Sequence, residues 1–272
     1  MTTRRPTIGV FDSGFGGLTV LKALLERVLD ADYLYFGDTA RLPYGSKSVE
    51  TVAKYAVEAT GYLEHHGAGL LVIACNTATA LALPQIRKAA GVPVLGVVEP
   101  GAERAAAASK NRRVAVIGTE ATVGSHAYRK ALEARGLQAR EKACPLLVPL
   151  VEEGWVDHPV TEQVARIYLD EAFGEGFQSA DVLLLGCTHY PLLKPVLRRA
   201  APTHATIVDS ADSTAQVVAE QLRIAPASRH QERREAMRLK FFATDSVEKF
   251  QRLGERFLGR PIEDVQHVDL KE

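Results

Sequence analysis

Two of the chain's three cysteines lie where a thiol could do chemistry. Cys75 and Cys187 each follow a short apolar run and precede small or hydrogen-bonding residues, whereas Cys144 precedes Pro145 inside an apolar stretch. A cysteine at a strand-to-helix turn lies near unpaired backbone N–H groups and the helix dipole, which stabilise a thiolate. We therefore interpret Cys75 and Cys187 as reactive groups and Cys144 as core packing.

Several chemistries could use such a pair. A redox disulfide is disfavoured because neither cysteine has a CxxC partner, and a metal site would need further Cys or His at short spacing. Cys187 and His189 could form a nucleophile pair of a hydrolase, but Cys75 would then be idle. Two general acid/bases on opposite faces of one carbon would use both thiols, one removing a proton and the other returning one, which inverts a stereocentre. We favour this two-base interpretation.

A glycine-rich turn, Asp-Ser-Gly-Phe-Gly-Gly at residues 12–17, follows the first apolar run. The backbone N–H groups of such turns bind anions. The nucleotide pattern GxGxxG and a Walker lysine are both missing, so a carboxylate is an equally good anion, and a non-catalytic anion- or nucleotide-binding module stays an alternative. Asp12 could bind an ammonium, orient an imidazole such as that of His189, or cap the following helix.

Two further places carry polar groups but no specific signal of their own. The loop at residues 37–45 offers backbone N–H groups and the phenol of Tyr44, although alone it is an ordinary turn. Glu152 and Glu153 follow an apolar run, where a solvated pair of carboxylates is the default interpretation.

The elements that position these residues follow an alternating pattern. Continuous apolar runs, typical of strands buried on both faces of a parallel sheet, occupy residues 7–11, 33–36, 70–74, 92–98, 114–117, 182–185, 206–208 and 239–243, with a last strand at 265–270. Helical spacing occupies residues 18–28, 49–65, 81–90, 127–134, 160–173, 192–200 and 213–222. Strands alternating with helices predict an α/β fold, with residues 225–238 as a polar connection or helix.

A faint internal duplication is visible in this pattern. Residues 70–77 resemble residues 182–189, each an apolar strand that ends in a cysteine, and residues 8–11 more weakly resemble residues 114–117. The duplication predicts two similar α/β halves, each with one cysteine at the carboxyl end of a strand. Open α/β sheets bind their ligands at that end.

Composition limits the possible partners and compartment. Lys+Arg and Asp+Glu are equal at 33 each, so no net positive charge attracts nucleic acid or an anionic membrane. The N-terminal residues lack a signal peptide's apolar run, and no segment has the length of a membrane span. We expect a cytoplasmic protein that needs neither nucleic acid nor membrane.

Four stretches together closely resemble the cofactor-independent glutamate racemases of the aspartate/glutamate racemase superfamily: residues 10–17, 36–39 with 43–45, 74–78 and 186–192. The resemblance implies two similar parallel-sheet α/β domains with the active site in the cleft between them. We place the discontinuous first domain at residues 1–98 plus 211–272 and the second at 99–210. The resemblance also implies interconversion of L- and D-glutamate for bacterial peptidoglycan without a cofactor or metal. Glutamate is the expected small-molecule partner, in a homodimer whose geometry the sequence does not indicate.

The resemblance also assigns roles to individual residues. Cys75 and Cys187 match the family's two catalytic acid/bases, and Asp12, Glu152 and His189 match side chains that assist the thiols, with Glu153 as an alternative to Glu152. The substrate-contacting pairs match Asp12 and Ser13, Tyr44 and Gly45, Asn76 and Thr77, and Thr188 and His189. Relatives often differ at Ala40 and Leu42, from which no conclusion about activity follows.

The expected reaction needs strong stabilisation of a carbanion. No pyridoxal lysine site is evident in the sequence, so hydrogen-bond donors at the substrate's α-carboxylate must stabilise the charge. Ser13, Asn76, Thr77 and Thr188 supply such donors, and closure of the two domains would exclude water. A racemase of another acidic or hydantoin-type substrate with the same thiol pair remains the nearest alternative.

Overall fold

The computed structural model describes residues 5–222 and 237–270 of the 272-residue chain. Most of the polar segment 225–238 lies outside the described residues, so its interpretation stays a prediction. In chain order the strands are β1 (Thr7–Asp12), β2 (Asp32–Gly37), β3 (Leu70–Ile73), β4 (Val94–Gly96), β5 (Arg113–Gly118), β6 (Gln138–Ala143), β7 (Val182–Gly186), β8 (Thr206–Asp209), β9 (Leu239–Ala243) and β10 (Val265–His267).

The strands form two parallel sheets. The first sheet has the order β10-β9-β2-β1-β3-β4 and the second the order β6-β5-β7-β8. The order β2-β1-β3-β4 is repeated as β6-β5-β7-β8, which confirms the predicted pair of similar parallel-sheet halves. The C-terminal strands β9 and β10 return to the first sheet beside β2.

The central strands are buried on both faces, as their continuous apolar runs predict. All residues of β3 and β7 are buried, and β1 exposes only part of its first residue. The strand β6 was missed because its sequence, Gln-Ala-Arg-Glu-Lys-Ala, has no apolar run and lies at the edge of its sheet, half exposed. The strand predicted at 92–98 covers only Val94–Gly96, and the one predicted at 265–270 only Val265–His267.

The helices in chain order are α1 (Leu18–Arg27), α2 (Val49–His65), α3 (Asn76–Ala89), α4 (Val98–Ala108), α5 (Glu120–Ser125), α6 (Ala127–Glu133), α7 (Leu147–Glu152), α8 (Pro159–Ala172), α9 (Lys194–Ala200), α10 (Ser210–Gln221) and α11 (Val247–Leu258). The sequence interpretation omitted α4, α5, α7 and α11. Among the helices of the described residues, none combines the length and apolarity needed to cross a membrane.

Local sequence explains where the helices next to the sheets begin and which face they bury. Ser48 caps α2 by accepting the N–H of Thr51, and the buried side chains of α2 recur every three or four residues. The helix α3 begins at Asn76, five residues before the predicted start, because the Sγ of Cys75 accepts the N–H of Ala78. Cys75 therefore lies in the turn after β3 and is also the N-cap of α3.

The helices α4 and α10 pack against each other and begin next to the proposed domain boundaries, which fall after residues 98 and 210. The strands of the first sheet come from residues 7–96 and 239–267, and those of the second from residues 113–209. We retain the division into residues 1–98 plus 211–272 and residues 99–210 as a proposal.

Candidate active site

A cavity of about 370 Å³ lies where the carboxyl ends of β1, β3, β5 and β7 come together. This volume suits a small metabolite. Of the eleven predicted site residues, the ten that line it are Ser13, Tyr44, Gly45, Cys75, Asn76, Thr77, Glu152, Cys187, Thr188 and His189. The eleventh, Asp12, is buried at the end of β1 and does not line the cavity.

Cys75 lies between the end of β3 and the first turn of α3. Its Sγ lies 3.5 Å from the Oγ of Ser13 and accepts the N–H of Ala78 at 3.4 Å. Burial raises the pKa of the Cys75 thiol to about 12, and the nearby charge of Asp12 adds to the rise, while hydrogen bonding with Ser13 and Ala78 opposes it. At neutral pH Cys75 is therefore a protonated thiol.

Cys187 directly follows β7 and has a different partner. Its Sγ lies 4.0 Å from the Nδ1 of His189, whose Nε2 lies 3.2 Å from the Oε1 of Glu152. Burial alone would lower the pKa of His189, but the hydrogen bonds and charges of Cys187 and Glu152 outweigh it and raise that pKa to about 10. The sulfur of Cys187 therefore has a positively charged imidazolium as its neighbour.

Glu152, and not Glu153, contacts His189. Burial would raise the pKa of Glu152, but its hydrogen bond to His189 and the charges of His189 and Lys249 lower it overall. Its backbone carbonyl accepts a hydrogen bond from Arg256 of α11 at 3.3 Å. Glu153 is exposed at the end of α7, although it also lines the cavity. The geometry therefore favours Glu152 as the carboxylate that assists the imidazole.

Asp12 belongs to the glycine-rich turn and does not cap a helix. Its Oδ2 accepts the N–H of Gly14 at 2.9 Å, while α1 begins only at Leu18, with Gly17 at the cap position. The helix-cap alternative is therefore wrong. Burial raises the pKa of Asp12, and the charge of His189 from the other half opposes this rise. The charge of His189 thus reaches Asp12, but no hydrogen bond joins these two side chains among the described residues, and the imidazole-orienting role of Asp12 stays a prediction.

The glycine-rich turn lies tightly against the second half. A Cβ built on Gly16 would lie 2.2 Å from the Oγ1 of Thr188 and 2.5 Å from the Nδ1 of His189. The Oγ1 of Thr19, at the start of α1, donates to the carbonyl of Thr188 at 3.2 Å. The residues that follow Cys187 are thus held by the first half of the molecule.

The residues that follow Cys75 are held by the second half in turn. The hydroxyl of Thr77 lies 2.9 Å from that of Thr119 and 3.2 Å from that of Thr122, and the Oδ1 of Asn76 accepts a hydrogen bond from Tyr128 at 2.6 Å. All of these partners belong to α5, α6 or the turn before α5. Each cysteine is therefore followed by residues that hydrogen-bond across the cleft.

Tyr44 and Gly45 lie on a loop that reaches the cavity from the first sheet. The hydroxyl of Tyr44 donates to the Oδ2 of Asp38 at 2.5 Å, and the Oδ1 of Asp38 accepts from Thr244 at 2.9 Å. A Cβ on Gly45 would lie 3.0 Å from the Cβ of Thr119, so the loop approaches the second half closely. The ring of Tyr44 is fully buried and braces this loop.

Sequence reasoning missed four polar residues that line the cavity: Ser46, Thr119, Glu120 and Lys249. Thr119 follows β5 just as Ser13 follows β1, so the internal duplication carries a signal for it. Lys249 comes from α11 and has no such signal. It is the one lysine or arginine among the described cavity-lining residues, and its Nζ lies 5.7 Å from the ring centroid of Phe15.

Within residues 5–222 and 237–270, no three or more His, Cys, Asp or Glu side chains are grouped so that they could hold a metal ion.

In each of the two parallel sheets one strand is followed by a cysteine, and both cysteines line the same cavity. This arrangement defines a class of two-domain α/β proteins with two thiols in position for acid/base chemistry. Residues 8–218 match the family model described as Asp/Glu/Hydantoin racemase, and the chain belongs to that family. The glutamate racemase of Koribacter versatilis (strain Ellin345) is 58% identical over an alignment 289 positions long, which covers 99% of both chains.

Solved structures agree with this assignment. The crystal structure of glutamate racemase isoform RacE1 from Bacillus anthracis matches with a TM-score of 0.88 and 36% identity, over 98% of this chain and 99% of that one. The glutamate racemase from Francisella tularensis, crystallised in complex with D-glutamate, matches with a TM-score of 0.86 and 31% identity, over 98% of each chain. The likeness therefore extends over both halves and the cleft.

Proposed function

We propose that this chain is a cofactor-independent isomerase that interconverts L- and D-glutamate and so supplies D-glutamate for peptidoglycan synthesis. The observation that carries the proposal is one cavity lined by two buried cysteines from equivalent strand ends. Cys75 has the hydroxyl of Ser13 as its hydrogen-bonding neighbour, and Cys187 has the imidazole of His189. Full-length similarity to glutamate racemases supports glutamate as the substrate.

Proton transfer uses the two cysteines in opposite protonation states. The thiolate of Cys187, next to the His189 cation, removes the α-proton of the enantiomer that faces it, and the C–H electron pair stays on the α-carbon. The thiol of Cys75 then donates its proton to the opposite face, which leaves a Cys187 thiol and a Cys75 thiolate. The reverse reaction uses the same steps in the opposite order. The positive charge of His189 assists the Cys187 sulfur, and Glu152 helps to keep His189 protonated. Asp12 orients the imidazole from the first half.

The carbanion is stabilised by hydrogen bonds to the substrate's α-carboxylate. Ser13, Asn76, Thr77 and Thr188 line the cavity on strand ends of both halves and supply hydroxyl and amide donors. Tyr44 and Gly45 complete the wall on the loop side, with backbone N–H groups for the second carboxylate. Such donors stabilise negative charge most strongly where water is excluded.

The direct test is a circular-dichroism assay of the purified chain with each enantiomer of glutamate, aspartate and glutamine, without added pyridoxal phosphate or metal. We expect glutamate to be racemised and to gain α-deuterium in deuterated water. Product without α-deuterium would exclude proton exchange. Racemisation of aspartate in preference to glutamate would refute the substrate assignment.

Single serine variants test the two-base mechanism. Cys75→Ser and Cys187→Ser should each lower racemisation by ~10²–10⁴-fold, the contribution of a general acid or base. Each variant should still exchange the α-proton of one enantiomer without inversion, and the two variants should differ in which one. Cys144→Ala is the matched control, because Cys144 is buried but does not line the cavity. An undiminished rate of racemisation in either cavity variant would exclude two-base catalysis.

Homodimer formation and a cytoplasmic location complete the proposal. Exposed large apolar side chains in one stretch of the second half support self-association: Leu146, Trp155, Val160 and Ile167. Light scattering should give a dimer mass that Ile167→Glu reduces. A parent protein that is monomeric at micromolar concentration would refute the dimer, and recovery of the activity in a periplasmic fraction would refute the location.

A further inference from the structure

Tyr128 of α6 contacts the strand ends of both cysteines. On one side its ring packs against Gly186, the residue before Cys187, so closely that a Cβ at Gly186 would lie 3.0 Å from the ring. On the other side its hydroxyl donates a 2.6 Å hydrogen bond to the Oδ1 of Asn76, the residue after Cys75. The side chain is fully buried. One tyrosine thus connects the two halves at the site of the proposed chemistry.

The same hydrogen bond fixes the direction of the Asn76 amide. Because Oδ1 accepts from the phenol, the donor Nδ2 is turned away from Tyr128. Asn76 is only 3% exposed, and its Nδ2 is buried without a hydrogen-bond partner among the described residues. A buried amide donor without a partner is rare in native proteins. Asn76 lines the cavity, and this donor is the one polar group of its side chain left without a partner for an acceptor on a bound ligand.

We propose that Tyr128 is a positioning residue, which holds the Asn76 amide with its donor toward the substrate carboxylate. The proposal rests on the function proposed above and deepens it. Tyr128 packs on the second sheet, whereas Asn76 follows the first, so the amide has its productive orientation only while the two halves are together. Closure of the cleft and preparation of this donor are then one event.

Tyr128→Phe is the sharpest single change, since it keeps the ring against Gly186 and removes only the hydroxyl. We expect kcat/KM for both enantiomers of glutamate to fall about tenfold, or ~1.4 kcal/mol. Tyr33→Phe is the matched control: Tyr33 is equally buried and donates to backbone carbonyls at the far end of the first sheet. It should lose stability but keep kcat/KM.

A double-mutant cycle separates positioning from a structural role. If Tyr128 acts through the amide, adding Tyr128→Phe to Asn76→Ala should change kcat/KM less than twofold. Asn76→Ser serves as a second background if the alanine variant melts early. Two results would overturn the inference: kcat/KM of Tyr128→Phe within twofold of the parent, or a loss that persists in the Asn76 variants.

Calorimetric binding of D-glutamate to the same variants keeps the two proposals distinguishable. A parent that binds glutamate without racemising it would refute the proposed function, while the coupling between Tyr128 and Asn76 would remain measurable in Kd. A parent that neither binds nor racemises glutamate would overturn both.

Discussion

The contact between Glu152 and His189 gives the most quantitative prediction. The variant Glu152→Gln keeps the shape of the side chain and removes its charge. The Oε1 of Glu152 lies 3.2 Å from the Nε2 of His189, and the charge of Glu152 is one of the causes that raise the His189 pKa to about 10. Without that charge the pKa of His189 must fall.

The size of the fall follows from the distance. At an effective dielectric constant of about 20, unit charges 3.2 Å apart attract by roughly 5 kcal/mol. The side chain of Glu152 is 24% exposed, so solvent screening leaves about half of that value. About 2.5 kcal/mol corresponds to about two pKa units. We expect the His189 pKa to fall from about 10 to about 8.

The assay has two readouts. Ring-labelled histidine NMR of the ligand-free protein follows the imidazole directly, with His189→Asn to assign its signal. The pH dependence of kcat/KM reports the free enzyme, and the substrate ammonium titrates identically for parent and variant. The alkaline limb of the variant should therefore move to lower pH.

Stability should change with the same sign. A raised histidine pKa stabilises the fold fully below the unfolded value of about 6.5, and this stabilisation is lost as the pH rises through the folded value. The variant should lose it at lower pH than the parent. Glu153→Gln removes an equal charge from the exposed neighbour and should leave the titration unchanged. A His189 pKa within half a unit of the parent's in Glu152→Gln, or an equal shift in Glu153→Gln, would refute the reasoning.

Two further predictions concern packing and an ion pair. A Cβ at Gly16 would lie 2.2 Å from the Oγ1 of Thr188, so Gly16→Ala should separate the halves and lower kcat/KM by ~10²-fold. The control Gly61→Ala, in open space on α2, should leave kcat/KM unchanged. Equal kcat/KM values for the Gly16→Ala and Gly61→Ala variants would contradict this prediction. Burial would raise the Asp32 pKa, but hydrogen bonds from Arg238 lower it, so Asp32→Asn should reduce Tm by ~2–4 °C at pH 7. The stabilisation is present above the unfolded pKa and is lost as pH falls through the folded one, so a Tm deficit that persisted at pH 2 would exclude this explanation.

Much of the fold follows from local sequence because buried parallel strands carry their own signal. The runs around β3 and β7 are apolar throughout, and the likeness of their cysteine ends predicts equivalent positions in two sheets. The edge strand β6 carries no such signal, because its side chains are half exposed and polar. The duplication would have located it, since β6 stands beside β5 as β2 stands beside β1.

Contacts across the cleft were harder to predict from the sequence. The apolar spacing of α11, at Val247, Phe250, Leu253 and Phe257, has the helical period, so the helix itself could be predicted. Its position could not, because the hydrogen bond from Arg256 to the Glu152 carbonyl joins residues 104 positions apart. The same holds for Tyr128, whose hydrogen bond to Asn76 depends on how the two halves pack.

The unequal surroundings of the two cysteines matter because a fully symmetric duplication would give no preference for which sulfur carries the proton. Racemisation needs one thiolate and one thiol at the start of each turnover. Burial and Asp12 keep Cys75 protonated, whereas the imidazolium of His189 lies next to Cys187. The duplication thus supplies two groups on equivalent strand ends, and the divergence of the residues beside them gives the two sulfurs different charged neighbours. Since enantiomers have equal free energies in water, this asymmetry cannot favour either product. The equilibrium constant between the enantiomers is one, so kcat/KM must be equal in both directions for the parent and for every variant that still racemises.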